Sequence, residues 1–383
     1  MAGIFKAYDV RGLYPEELDE STARAVGRSF PHILDPEDLA RTRTVVVSRD
    51  MRPHGVGLSE ALIEGLLEGG VDVLDIGLAT TPMNYFAVGH LQAAGGIQVT
   101  ASHNPPRYNG FKFSLGDARP VSGDGGIPEI ERLAADGGSV AAEAGVRSQG
   151  EIMPDYRRHL LSFLEPVAGS RRLKVAVDAA NGMGCLYRPL LEAAEVDLEL
   201  LYFELDGSFP NHEPNPLKLE NLEDLGRLVR ESGADLGVAF DGDADRAAFV
   251  DEHGEPVGSD LATALIAGEM LAQHPGSAIV YDLRSSRAVA EYVREKGGVP
   301  IRERVGHSFI KATLREHGGV FGGELAGHYY FRDNFTADCS LMAVFEMINQ
   351  LRRSGLSMSE LVRPLDRYAK TPEINFEVED KVG

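Results

Sequence analysis

The chain alternates, three times over, between short continuous apolar runs and longer stretches whose apolar positions recur at helical spacing. Continuous Val/Ile/Leu runs of this length read as strands buried on both faces of a parallel sheet. The first set comprises 44–50 (TVVVSRD), 173–179 (LKVAVDA) and 278–284 (AIVYDLR). Each leads into a helical pattern (LSEALIEGLLEGG, LYRPLLEAAE, SRAVAEYVREKGG) and then a second apolar run at 71–77, 196–203 or 299–306. A second helical pattern follows (TPMNYFAVGHLQA, LENLEDLGRLVRESG, HSFIKATLREHGG), then a third run that ends in a polar motif. Strands alternating with helices of this length predict βαβ crossovers. The expected fold is therefore three consecutive similar α/β domains with mixed, mostly parallel sheets. Ligands of such sheets bind outside the carboxyl ends of the strands. The expected active site is thus the cleft between the domains, where the three polar motifs would meet. Expected boundaries are 1–150, closing in the Gly/Ala/Ser-rich stretch 136–150, then 151–256 and 257–368. Residues 369–383 read as the opening strand of a further element, too short to bury a core.

Charge narrows the function. The 383 residues carry 38 Lys+Arg against 59 Asp+Glu, a net charge of −21. Phosphate-backbone binding needs a basic surface, so a general nucleic-acid binder is excluded. A small anionic substrate held in a local basic pocket is not. No apolar run approaches the roughly 18 residues needed to span a bilayer, so no membrane partner is expected. The N-terminus turns polar too early for a signal peptide. Cys185 and Cys339 are the two cysteines and lie far apart, which predicts neither a disulfide framework nor a zinc cluster. A reducing cytoplasm is the expected compartment. His159 and His274 fall in helical or turn patterns and read as surface residues.

The polar motifs carry the chemistry. In DGDADR, Asp241, Asp243 and Asp245 are spaced by two, which puts three carboxylates on one side of an extended chain. Such a cluster needs a cation, and oxygen ligands favour Mg²⁺ or Ca²⁺. Arg246 adds a fixed positive charge beside it. The spacing mimics an EF-hand, but Arg246 stands where that loop requires Gly and a strand precedes it instead of a helix. In TASHNPPRYNGFK, Ser102 follows a strand directly and is hemmed by His103, Asn104 and two prolines. One hydroxyl on a stiff loop suits a nucleophile or a covalent phosphoryl carrier. Lys112 returns after the Asn109-Gly110 turn as a base or phosphate clamp. In GGELAGH, Glu324 and His328 among glycines suit recognition of polyol hydroxyls. His307 starts a helix, where neutral imidazole and backbone N–H groups can meet an anion. Arg284 ends the first strand of the third unit on the same rim. Tyr8 and Arg11 lie in the short glycine-closed segment KAYDVRG.

Taken in order, FKAYDVRG, TASHNPPRYNGFK, DGDADR and GELAGH resemble the α-D-phosphohexomutase superfamily, with the bacterial phosphomannomutase/phosphoglucomutase group nearest. The resemblance covers the chain through about residue 368. That group's G-E-M-S-G-H becomes GELAGH here, with Leu325 and Ala326 in the middle and Glu324, Gly327 and His328 in register. The glucosamine branch often has Gln where Leu325 stands.

The resemblance implies an isomerase that moves a phosphoryl group between O1 and O6 of a mannose or glucose phosphate, through phosphoserine and a 1,6-bisphosphate. It implies a phosphoserine at Ser102 in the first domain, and Mg²⁺ on Asp241, Asp243, Asp245 and a phosphoserine oxygen in the second. The third domain would recognise the sugar. Lys112, His307 and Arg11 match the acid–base region, with Arg246 beside the metal; Glu324 and His328 match sugar-hydroxyl contacts, with Tyr8 and Arg284 on the substrate rim. A monomer or homodimer is expected. The group also carries a fourth domain with an R-x-S-[NG]-T loop that clamps the distal phosphate. No such sequence occurs in residues 1–383, so the expectation is a chain that lacks most of that domain and is impaired in turnover. Two rivals remain: a haloacid-dehalogenase-like phosphatase with Asp241 as nucleophile, and a sugar-phosphate-binding protein without turnover.

Overall fold

Three sheets built on one plan carry the chain. A computed structural model describes residues 3–121, 126–165 and 171–369; of the expected opening strand at 369–383, all but the first residue lies outside the described residues. In the first sheet, strand Thr44–Arg49 pairs in parallel with Asp72–Leu78 on one side and with Gly95–Val99 on the other. The second sheet repeats this with Lys174–Asp178 between Asp197–Leu201 and Leu236–Phe240. The third repeats it with Ala278–Asp282 between Val299–Glu303 and Phe321–Gly323. Each third strand then turns back into an antiparallel fourth: Tyr108–Leu115, Ala247–Val250 and Tyr329–Phe331. The spatial order second–first–third–fourth is thus common to all three, and the three polar motifs all occupy the turn between third and fourth strands. That shared turn is what brings unrelated chemistries to equivalent places.

The buried strands explain the apolar runs. Val45, Val46 and Val47 are fully enclosed, as are Leu236–Phe240, because helices cover both faces of such sheets. Helix starts follow local rules. Thr80 caps Thr81–His90 by accepting the Met83 amide at 3.2 Å, with Pro82 in the first turn. Ser286 caps Arg287–Glu295 in the same way. The helix expected from LYRPLLEAAE shortens to Arg188–Ala193 behind a 3-10 turn, Met183–Tyr187.

The first sheet is extended at both edges. Asp9–Leu13 adds antiparallel to Tyr108–Leu115, with Asp9 opposite Lys112 and Arg11 opposite Gly110. Arg147–Gln149 adds parallel to Asp72–Leu78.

The three units share apolar packing. One cluster runs from Met83 and Phe86 through Val175, Val177 and Phe240 to helices Ser259–Gln273 and Ser340–Ser354. Each large side chain so buried contributes about 1.5–3 kcal/mol, which holds the walls of the central cleft in register. His159 is half-buried in this region, correcting the surface assignment: its ring stacks on Phe86 and Nε2 lies 3.1 Å from Asn334 Oδ1. Among the described residues no helix is long and apolar enough to cross a membrane.

Candidate active site

Sheet register builds the site. The pairing of Asp9–Leu13 with Tyr108–Leu115 brings Arg11 and Lys112 to one wall. A cavity of about 170 Å³ opens there, lined among others by Tyr8, Arg11, Ser102, Lys112, Arg246, His307 and His328. Residues 300 positions apart in sequence therefore face one space.

Ser102 is almost fully buried and sits at φ +52°. A left-handed non-glycine residue costs of order 1–3 kcal/mol and persists only where its surroundings over-determine it. Here the Ser102 amide donates to Thr100 Oγ1 at 2.9 Å, and its hydroxyl donates to Asp241 Oδ2 at 3.0 Å. His103 Nδ1 lies 3.2 Å from the same hydroxyl. Burial, with Arg246 and Arg11 nearby, pushes the His103 pKa down to about 2, so this imidazole is neutral.

Asp241, Asp243 and Asp245 are buried, and one oxygen from each lies within 4.8 Å of the others. Lys112 Nζ donates to Asp243 Oδ2 at 2.6 Å and also to Asp245 Oδ2. Thr81 Oγ1 donates to Asp243 at 2.5 Å. Burial alone would lower the Lys112 pKa, but the two carboxylates outweigh it and hold the ammonium well above the usual lysine range. Asp241 is pushed up by burial and by repulsion from Asp245 and Asp243. Asp243 Oδ1 is buried without a hydrogen-bond partner. A set of buried oxygens with an uncompensated third charge and an orphaned lone pair fits a hard divalent cation.

Arg11 Nη1 donates to Asn104 Oδ1 at 2.8 Å and Nη2 to Asp9 at 2.6 Å, tying the N-terminal strand to the serine loop. His307 is half-buried, and desolvation of its ring with Lys311 nearby lowers its pKa to about 3, so it too is neutral. The Tyr8 ring packs edge-on against it, with centroids 5.3 Å apart.

The GELAGH loop is tied to the metal loop, with His328 on the cavity wall. Arg246 Nε donates to His328 Nε2 at 2.7 Å, and His328 Nδ1 lies 3.2 Å from the Tyr330 hydroxyl. That hydroxyl donates to Glu324 Oε2, while Glu324 Oε1 accepts the Gly306 amide at 3.0 Å. Glu324 is thus buried and engaged through both oxygens, and it joins the metal loop to the turn before His307. Arg284 does not line the central cavity; it borders a neighbouring recess with Leu325, its Nη2 donating to Asp282 at 2.9 Å.

Sequence reasoning passed over Arg52, Lys311 and Asp338. Arg52 is fully buried beneath the serine loop. The signal available was position, since it falls just past the first strand's carboxyl end. Lys311 and Asp338 form a buried ion pair at 2.5 Å, with Asp338 on the cavity wall and Lys311 Nζ 4.0 Å above the centre of the Tyr85 ring; only tertiary packing brings them together.

Comparison with known proteins agrees with this geometry. Family models for phosphoglucomutase/phosphomannomutase α/β/α domains I, II and III match residues 2–140, 154–254 and 259–368. A phosphomannomutase of Salmonella montevideo is 39% identical, covering 97% of this chain and 82% of that protein. A phosphoglucomutase of Neisseria gonorrhoeae is 36% identical, covering 97% and 80%. The crystal structure of a phosphoglucomutase/phosphomannomutase family protein from Burkholderia thailandensis superposes with a TM-score of 0.88 at 37% identity, covering 96% of this chain and 81% of that one. The chain belongs to the phosphoglucomutase/phosphomannomutase family of phosphohexomutases. Neither the phosphatase reading through Asp241 nor the non-catalytic binding reading is favoured by these matches.

Proposed function

We propose that this cleft interconverts the 1- and 6-phosphates of mannose or glucose, with Ser102 as the phosphoryl carrier and a hexose 1,6-bisphosphate as intermediate. The observation that carries the reading is the Ser102 hydroxyl itself. It is buried, held in a strained turn, 3.0 Å from Asp241, and faces the cavity with Arg11, Lys112 and Arg246. Cations around one hydroxyl stabilise the charge of a transferring phosphoryl group, for which positioning and electrostatics do most of the work.

Phosphoserine 102 loses its phosphoryl group to a hydroxyl of the bound hexose monophosphate. The P–O bond to Ser102 breaks, a P–O bond to the sugar forms, and the sugar hydroxyl's proton ends on Ser102 Oγ through the acid–base region of Lys112 and His307. The bisphosphate then turns over and returns its other phosphoryl group. Mg²⁺, held by Asp241, Asp243, Asp245 and a phosphoserine oxygen, would supply charge neutralisation. Lys112 and Arg246 grip the reacting phosphate; Tyr8 and His328 form the sugar side, Glu324 braces His328 through Tyr330, and Arg284 stands on the adjoining recess. Relatives named for both mannose and glucose chemistry support a dual hexose reading.

Incubation with hexose 1,6-bisphosphate followed by peptide mapping is expected to find phosphate on Ser102. Ser102→Ala should abolish interconversion while retaining hexose-phosphate binding. Phosphate found only elsewhere, or an active Ser102→Ala, would refute the assignment.

A further inference from the structure

Arg52 makes more hydrogen bonds to the serine loop than any residue that touches Ser102 from the cavity. Nη1 donates to the Pro105 and Tyr108 carbonyls at 2.8 and 3.1 Å, and Nη2 to the Ser102 and Asn104 carbonyls at 3.0 and 2.6 Å. The remaining donors, Nε and the backbone amide, reach Asp50 at 3.2 and 3.0 Å. Asp50 in turn accepts from Thr100 Oγ1 at 2.6 Å, and Thr100 Oγ1 accepts the Ser102 amide. Both peptide groups flanking Ser102 are thereby held from below, one through Asp50 and Thr100, the other by the guanidinium directly.

The second domain presses on the same group. Phe209 lies over the Arg52 guanidinium at 5.1 Å, and Gly207 packs against the Arg52 backbone. Gly242 of the metal loop lies against the Ser102 carbonyl, the oxygen that Arg52 Nη2 binds. That oxygen is therefore fixed between domains, which fixes the turn whose φ is +52°.

We infer that Arg52 is the positioning residue of the phosphoryl-carrying loop: its guanidinium holds Ser102 in the left-handed turn that aims Oγ at the Asp241 cluster. Its side chain is fully buried and absent from the cavity lining, so it acts through Ser102 and not on the sugar. Lysine carries the same charge opposite Asp50 but is a compact point donor without a planar fork, and it cannot gather four carbonyls. The inference rests on the proposed role of Ser102.

The test compares wild type, Arg52→Lys and Arg52→Ala in hexose-phosphate interconversion, with Ser102→Ala as reference. Arg52→Lys is expected to fold, with kcat lowered about 100-fold, the scale of a misplacement near 1 Å. KM should stay within about threefold, because the sugar contacts are untouched. Phosphorylation of Ser102 by hexose 1,6-bisphosphate should slow in parallel. Added guanidinium should restore part of the turnover of Arg52→Ala and nothing in Ser102→Ala. If the lysine variant folds poorly, Phe209→Leu, which removes the ring that seats the guanidinium against the loop carbonyls, should loosen those hydrogen bonds and lower kcat several-fold at unchanged KM. Wild-type kcat in folded Arg52→Lys, or in Phe209→Leu, would overturn the inference while leaving the carrier role intact. Full activity in Ser102→Ala would instead overturn the proposed function.

Discussion

Individual carboxylates in this protein differ more by surroundings than by type. Asp243 shares Lys112 and Thr81, whereas Asp241 receives the Ser102 hydroxyl and the amides of Asp245 and Arg246 and is pushed upward by burial and repulsion. Asp241→Asn should therefore raise the unfolding midpoint of the metal-free chain, and Asp243→Asn should lower stability by roughly 1–3 kcal/mol by removing one of the two carboxylates that hold Lys112. Both should lose metal-dependent turnover. Thermal unfolding with and without Mg²⁺ checks this, and a reversed order would contradict the assigned partners. Glu346, in helix Ser340–Ser354, is buried with Oε2 unpartnered; burial and the Glu269 charge raise its pKa to about 7 from 4.5. Its contribution to stability is complete below pH 4.5 and lost as pH rises through 7. Glu346→Gln should thus gain on the order of 2–3 kcal/mol over the parent at pH 8 and nothing near pH 4.5, as urea unfolding at the two pH values would reveal.

The working element is the hairpin between third and fourth strands. The metal-loop hairpin touches both others, the third through the Arg246–His328 pair and the first where glycine permits it: a Cβ on Gly242 would collide with the Ser102 carbonyl oxygen. Gly242→Ala must displace either the metal loop or the serine loop. The expected result is a folded protein with interconversion at least about 100-fold slower, since a backbone shift of this kind misplaces the reacting oxygen. Circular dichroism with steady-state kinetics decides it, and unimpaired kcat would mean that the loops need not meet. Ala244, at φ +58°, adds a second strained non-glycine turn in the metal loop, in keeping with strain collecting where geometry matters for chemistry.

Across the whole molecule, the cleft depends on contacts between units distant in sequence. Lys311, paired with Asp338, lies over the Tyr85 ring, which joins the third unit to the first. Lys311→Met leaves a buried carboxylate alone and should cost about 3–5 kcal/mol. Adding Asp338→Asn should recover most of that loss, because a neutral pair needs no counter-charge. Chemical denaturation of both single variants and the double variant measures the coupling. Additive losses would show that the two side chains do not act as a pair.

Much of this was legible along the chain. The Val/Ile runs at 44–49, 174–178 and 278–282 name their strands because burial on both sheet faces demands continuous apolar residues. The three-Asp spacing and the proline-stiffened serine carry their chemistry locally, so they can be read without a fold. What the chain could not tell is which buried polar groups meet. Arg52 looks like any arginine past a strand until the loop folds over it. Lys311 and Asp338 lie 27 residues apart, on a helix and on a strand edge. Nothing along the chain says that Tyr330 and Gly306 engage the two oxygens of Glu324. Periodicity records burial, which each residue expresses on its own, whereas a hydrogen-bond partner is a property of two residues and exists only once the chain has closed on itself.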